Sequence, residues 1–496
     1  MSSFHYTEAK RPPLRLRMTP WQWAIIITEA MLLFGVLGAL AWMLLLNPTG
    51  MTAPAPTLPP QIAAQAEPAT TTPLPPSTLT PFTWPTPLPT STPQATSTRV
   101  ISRERLNQGT IDQIEQQVIR LRGIQPRATV PVQFLTRAEM ADYVRKEYQT
   151  NQDQANGELA FYRAMGLISP SAKVDTEAMV KLVAANIAGF YEPREKRLHV
   201  ISDLENLGAD EKVTLAHEYT HALQDQQFDL AKYQNRIKTT DMRLAMSSIY
   251  EGDATVVMSI YLYGNMTRSE WDYLAYRASF SDLSVITATG VSTRASQISY
   301  FPYLQGALFV VNLWADGRGW AQVNHAYADP PQSTSIVMHP ERYLTQHSTP
   351  VPIPLPNLGP TLGKEWTPTI KTDTLGEFVT SVHLDEFLND PKQAAQAADG
   401  WEGDSFTLWT TTGERQAFAW VIAWSTPRDT GEFWDAYTAL LRKRVGAGLR
   451  IEREDTSMHW YSGNAGSGLV RRVGERTLVL WGPDKSTLEK LLVALQ

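Results

Sequence analysis

Two histidines and a glutamate are spaced so that they can hold a metal ion together. In VTLAHEYTHALQDQQF, residues 213–228, His217, Glu218 and His221 read H-E-x-x-H. On a helix, side chains four apart stand one turn above each other, so both imidazoles can point at one ion. Glu218 then lies beside them, placed to hold a water. The surrounding residues support a helix. Leu215, Ala216, Tyr219, Ala222 and Leu223 form an apolar face of helical period, and Asp210 and Glu211 fall in the first turn, where the helix dipole favours anions.

Two histidines do not complete a zinc site, because zinc in hydrolases takes three protein ligands and leaves the fourth position to water. Glu251, in SSIYEGDATVVMSIYLY, is the candidate third ligand. It lies on a stripe with Leu244, Ser247, Ser248, Ala254, Thr255 and Met258, whose small members let another helix come close. Gly252 points the same way, since a glycine within a helix costs about 1 kcal/mol relative to alanine and its use there predicts tight packing.

The pair of motifs, HEYTH and then EGDA about thirty residues later, resembles the gluzincin clan of zinc metallopeptidases, the thermolysin-like group. The wording AHEYTHALQDQ is similar to that of membrane-anchored bacterial members of the clan, and the likeness extends over residues 130–345. The resemblance implies an α+β, zincin-like fold with a small mixed or antiparallel sheet and two active-site helices. It also implies Zn2+ held by His217, His221 and Glu251, with Glu218 as the general base. Thr255 stands where the best-known members carry an aspartate that steadies a histidine, so Asp253 and Asp225 are candidates for that role. Ser335 stands where related proteins have a glutamate. Tyr303 and His339 are candidates for the donor that faces the developing oxyanion. Each also has a plainer reading, Tyr303 as a core aromatic and His339 as a residue that pins a loop.

Composition narrows the alternatives. The chain of 496 residues is long enough for two or three domains, and its net charge of −6, with no basic tract beyond the N-terminus, disfavours a nucleic-acid partner. Cysteine is absent, which excludes disulfides, thiolate ligands, a cysteine nucleophile and a lipidated cysteine anchor.

The N-terminal hundred residues read as an anchor and a stalk. Residues 1–20 carry Lys10, Arg11, Arg15 and Arg17, and residues 21–46 form an apolar run with Trp21, Trp23 and Trp42 near its ends. That run is long enough for one transmembrane helix through a lipid bilayer, with the basic tail cytoplasmic and the bulk of the chain outside. A cleavable signal peptide, cut near Ala53, is the rival. Residues 47–99 hold fourteen of the 34 prolines, with Glu67 as the only acid. Such a segment cannot bury enough apolar surface to offset chain entropy and is expected to be an extended linker.

Residues 100–350 are expected to form the metallopeptidase domain. IDQIEQQVIRLRGI predicts a helix, VPVQFL a strand, and Thr136 with Glu139 a capping box that opens a helix through Tyr148. Residues 157–185 read as helical with a break at Ser169-Pro170. Residues 186–201 predict a β-hairpin, either an edge that pairs with extended peptide or an ordinary structural hairpin. Residues 264–300 read as a lid or connecting helices, 301–317 as a buried helix and 328–343 as a loop. Residues 360–496 predict an α+β region that either stands alone or completes the cleft, with turns expected in GWEGDSF at 400–406.

The expectation is a membrane-anchored, outward-facing zinc endopeptidase acting on peptide or protein substrates. The alternatives are an inactive surface protein that uses the same fold for binding, and a zinc hydrolase of a non-protein amide such as cell-wall peptide. The oligomeric state is left open.

Overall fold

The computed structural model describes residues 102–150, 152–168, 177, 180, 184, 187–279, 292–345 and 349–495. The tail, the apolar run and the stalk expected over 1–99 lie outside the described residues, as does most of the expected helix after Ser169. Among the described residues, no helix is long and apolar enough to cross a membrane.

The chain begins with α1 (Arg103–Arg122), β1 (Val132–Leu135), α2 (Arg137–Thr150) and α3 (Gln152–Ala164). At the head of α2 the Glu139 carboxylate accepts from the Thr136 N–H at 2.7 Å and the Thr136 hydroxyl accepts from the Glu139 N–H at 3.2 Å, which is the expected capping box. The hairpin follows as β2 (Gly189–Glu192) and β3 (Arg197–Ile201). These strands form a mixed three-stranded sheet in the order β1-β3-β2, with β1 parallel and β2 antiparallel to β3. Tyr191, Leu198 and Val200 face a core shared with α1 and with the helix that carries the histidines.

That helix is α4 (Ala209–Phe228), followed by α5 (Leu230–Gln234) and the long α6 (Thr240–Asn265) that carries Glu251. Next come α7 (Arg268–Ser279), α8 (Thr293–Ala315), α9 (Trp320–Ala328), α10 (Thr334–Met338) and α11 (Pro340–Thr345). The close packing predicted at Gly252 is present, and its partner is α8: a Cβ on Gly252 would lie 2.2 Å from the Gly306 carbonyl carbon. The two glycines let the backbones of α6 and α8 touch, while Glu251 faces α4.

Two sequence expectations need correction in this half. The buried helix expected from 301 starts at Thr293, where the Ser292 hydroxyl caps it by accepting from the Ala295 N–H at 3.0 Å, and Pro302 falls inside it. The loop expected over 328–343 contains α10 and α11, because Ser333 supplies a helix cap inside a run of turn-forming residues.

The remainder is α12 (Gly359–Leu362), β4 (Thr367–Asp373), α13 (Gly376–Leu388), α14 (Pro391–Ala398), β5 (Trp401–Thr410), β6 (Gln416–Trp424), α15 (Pro427–Arg444), β7 (Arg450–Glu454), β8 (Met458–Gly463), β9 (Gly466–Val473), β10 (Arg476–Gly482) and α16 (Lys485–Ala494). Its strands form a seven-stranded antiparallel sheet in the order β4-β5-β6-β10-β9-β8-β7. Within GWEGDSF, Gly400 makes a turn and Trp401–Phe406 are strand. Gly403 is needed because a Cβ there would meet the Val351 carbonyl oxygen at 2.3 Å. Asp404 accepts from the N–H groups of Leu375 and Gly376 at 2.9 and 2.8 Å, so it caps the start of α13. The regions expected to divide at 350–360 are one compact unit, with a single apolar core running from Leu244, Ile249 and Phe309 to Val379, Phe418 and Trp420.

Candidate metal centre

The α4 helix buries Val213, Leu215, Ala216, Tyr219, Ala222 and Leu223, so its sequence folds as an amphipathic helix held on two sides. At its start the Glu211 carboxylate accepts the Gly208 N–H at 3.0 Å. At its end Asp229 adopts a left-handed conformation and closes the last turn. The burial fixes the rotation of α4 and turns His217 and His221 toward α6.

His217 Nε2 and His221 Nε2 are 3.0 Å apart, and Glu251 Oε2 lies 3.3 Å from the first and 3.1 Å from the second. These separations are the test of fit. Atoms bound to zinc at about 2.0–2.2 Å in a tetrahedron are separated by roughly 3.4 Å, so a point near 2.1 Å from all three donors exists about 1 Å above their plane. The side chains are 8, 11 and 14% exposed, which leaves the donors largely sheltered from solvent. Burial alone would raise the Glu251 carboxyl. The His221 charge and the hydrogen bonds with both imidazoles outweigh it and hold the carboxyl well below its usual range. Burial would likewise lower His221, but the Glu251 carboxylate raises it.

Glu218, half-buried on the same helix, accepts the Tyr191 N–H at 2.8 Å from the edge strand β2. Burial pushes its carboxyl up, against the pull of the two histidines. A raised carboxyl beside a candidate metal centre is suited to taking and returning a proton.

The outer contacts differ from those expected. His221 Nδ1 donates to Gln224 Oε1 at 2.9 Å, and the Gln224 amide donates to the Tyr250 carbonyl at 3.0 Å. Asp253 and Asp225 do not steady a histidine. Asp253 accepts from Arg122 Nε at 2.6 Å and the Tyr327 hydroxyl at 2.8 Å, while Asp225 accepts from the Tyr191 hydroxyl at 2.7 Å and Lys196 Nζ at 2.6 Å. His217 Nδ1 and the Thr255 hydroxyl are both buried without a protein partner.

The two oxyanion candidates separate. Tyr303 is buried with its ring centroid 6.1 Å from that of His217 and nearly parallel to it, beside the triad. His339 belongs to a different cluster, with Nε2 at 2.9 Å from Glu377 Oε1 and 4.0 Å from Asp399 Oδ1. Ser335 is buried and accepts from Arg342 at 3.0 Å. Tyr250 was missed from the sequence. Its ring meets the His221 imidazole edge-on with centroids 5.9 Å apart, and its position next to Glu251 was the available signal.

Residues 367–492 match the model of a domain of unknown function, DUF8575. No curated protein and no solved structure matches the chain. The DUF8575 region begins after all three triad residues, so it assigns none of them. It does support them: the Asp373 carboxylate accepts from the Thr240 N–H at 2.7 Å and from its hydroxyl at 2.6 Å, at the first residue of the Glu251 helix.

Proposed function

We propose that the protein is a zinc-dependent endopeptidase. The observation that carries this reading is the near-equilateral triangle of His217, His221 and Glu251 donors with Glu218 alongside. His217, His221 and Glu251 would hold the ion, which supplies Lewis-acid polarisation to a carbonyl and to water. Glu218 takes the proton of the attacking water and passes it to the leaving amine. Tyr303, beside His217, is the proposed donor to the developing oxyanion; His339 is left out because Glu377 engages its imidazole. Strand β2, at the edge of its sheet, would receive extended peptide by backbone pairing. The anchor proposed at residues 21–46 would place this machinery outside the cell membrane.

The test is Glu218→Gln. The variant is expected to bind one zinc at this centre as the parent does and to lose casein or peptide hydrolysis by about 10²–10⁴-fold. Hydrolysis at the parent rate would refute the assignment.

One observation favours a second reading. Glu218 already accepts the Tyr191 N–H, as a carboxylate used to hold a strand would. Zinc bound at this centre without turnover of casein, peptides or cell-wall peptide would select a binding protein.

A further inference from the structure

We propose that His339, Glu377 and Asp399 form a second divalent-cation site, distinct from the His217–His221–Glu251 centre, which clamps the segment after α10 onto the DUF8575 region. The donor atoms all lie within 4.8 Å of one another and come from three elements. His339 follows the last residue of α10, Glu377 is in the first turn of α13, and Asp399 follows α14.

Glu377 provides the observation that points to a ligand. It is 1% exposed, its Oε1 meets His339 Nε2 at 2.9 Å, and its Oε2 is buried without a protein partner. A buried carboxylate oxygen with no partner is costly. The surroundings do not balance it. Burial pushes the Asp241 carboxyl well up, toward its neutral form, and Asp404 gives its carboxylate to the start of α13, so neither supplies a balancing cation. The cations in reach are His339 and Arg342. Arg342 donates to the Ser335 hydroxyl at 3.0 Å and stands 4.0 Å from Asp399 Oδ1, too far for a direct hydrogen bond. A divalent cation between Glu377, Asp399 and a neutral His339 offsets the charges of these two carboxylates and adds a partner to the Glu377 carboxylate. One imidazole with two carboxylates suits zinc, manganese, cobalt or nickel better than calcium, which takes oxygen ligands. The other ring nitrogen, His339 Nδ1, lies 3.9 Å from the exposed Glu341 carboxylate, beyond direct hydrogen-bond distance.

The test uses the full-length chain carrying His217→Ala and His221→Ala, which removes the first centre. Titration with Zn2+ alone, followed by calorimetry and metal analysis, is expected to give one bound equivalent and a higher melting temperature. Adding Asp399→Asn, at a side chain 61% exposed and therefore harmless to the fold, should weaken binding by at least about tenfold and cancel the melting shift. Glu377→Gln should act in the same direction. In the otherwise unaltered chain, Asp399→Asn alone should lower the bound zinc from two equivalents to one. A double-histidine variant that binds no cation overturns the proposal, and so does one whose binding is indifferent to Asp399→Asn and Glu377→Gln. Either failure leaves the peptidase reading intact, because it is measured without the first centre.

Discussion

His221 donates its Nδ1 proton to Gln224, three residues further along α4, at 2.9 Å. Because the same amide donates to the Tyr250 carbonyl, its oxygen must face the imidazole. The bond therefore keeps a proton on Nδ1 and leaves Nε2, the atom that faces Glu251, as the one that can give up its proton to bind a metal ion. Gln224→Leu is expected to weaken zinc binding by about 10–100-fold with little change in the fold. Competition with a chromogenic chelator measures this directly, and an unchanged affinity would show that the histidine needs no such guide.

The contact of α6 with α8 leaves no room for a methyl group. Gly252→Ala would place a Cβ 2.2 Å from the Gly306 carbonyl carbon, a backbone atom that cannot rotate away. The expected cost is about 3 kcal/mol, seen as a lower midpoint in urea, accompanied by weaker zinc binding as Glu251 is displaced.

Arg122 and Asp253 form an ion pair at 2.6 Å with both side chains 0% exposed, joining α1 to α6. Removing one partner leaves the other charge buried. Arg122→Met should cost about 3–5 kcal/mol by denaturant unfolding, and Arg122→Met with Asp253→Leu should recover part of it. A single variant as stable as the parent would contradict this account.

Glu115, on the side of α1 toward α4, gives the pH prediction. Burial, and then the charge of Asp112, push its carboxyl up to about 7. A carboxyl raised on folding favours the protonated form in the folded chain, so its contribution is fully present below about pH 4.5 and is lost as the pH rises through 7. Glu115→Gln should therefore stabilise the protein at pH 8 by about 1 kcal/mol, allowing for solvent screening, and leave it unchanged at pH 4. Unfolding curves at the two pH values decide it.

The triad was legible because it depends on local rules. The i, i+4 spacing of His217 and His221 needs only helical geometry, and Gly252 with its small neighbours announces a close helix crossing next to Glu251. The outer contacts were not legible because distant residues decide them. Gln224 and Asp225 both follow His221 by about one turn, and the choice between them is made by Tyr191 and Lys196, which take the aspartate. Asp253 likewise goes to Arg122, 131 residues away in sequence. GWEGDSF misled for the same reason. Its glycine answers to the backbone of Val351 and its aspartate to the start of α13, and neither is visible in the local pattern.

The grip of Asp373 on Thr240 bears on how this chain can be divided. The footing of the Glu251 helix is borrowed from residues that come more than a hundred positions later, across the boundary where the DUF8575 match begins. A gene truncated ahead of that boundary would encode every proposed zinc ligand and still lack the seat on which one of them stands. Front and rear are thus best treated as one heritable block, and a tail grafted from another protein must bring its own substitute for that single carboxylate.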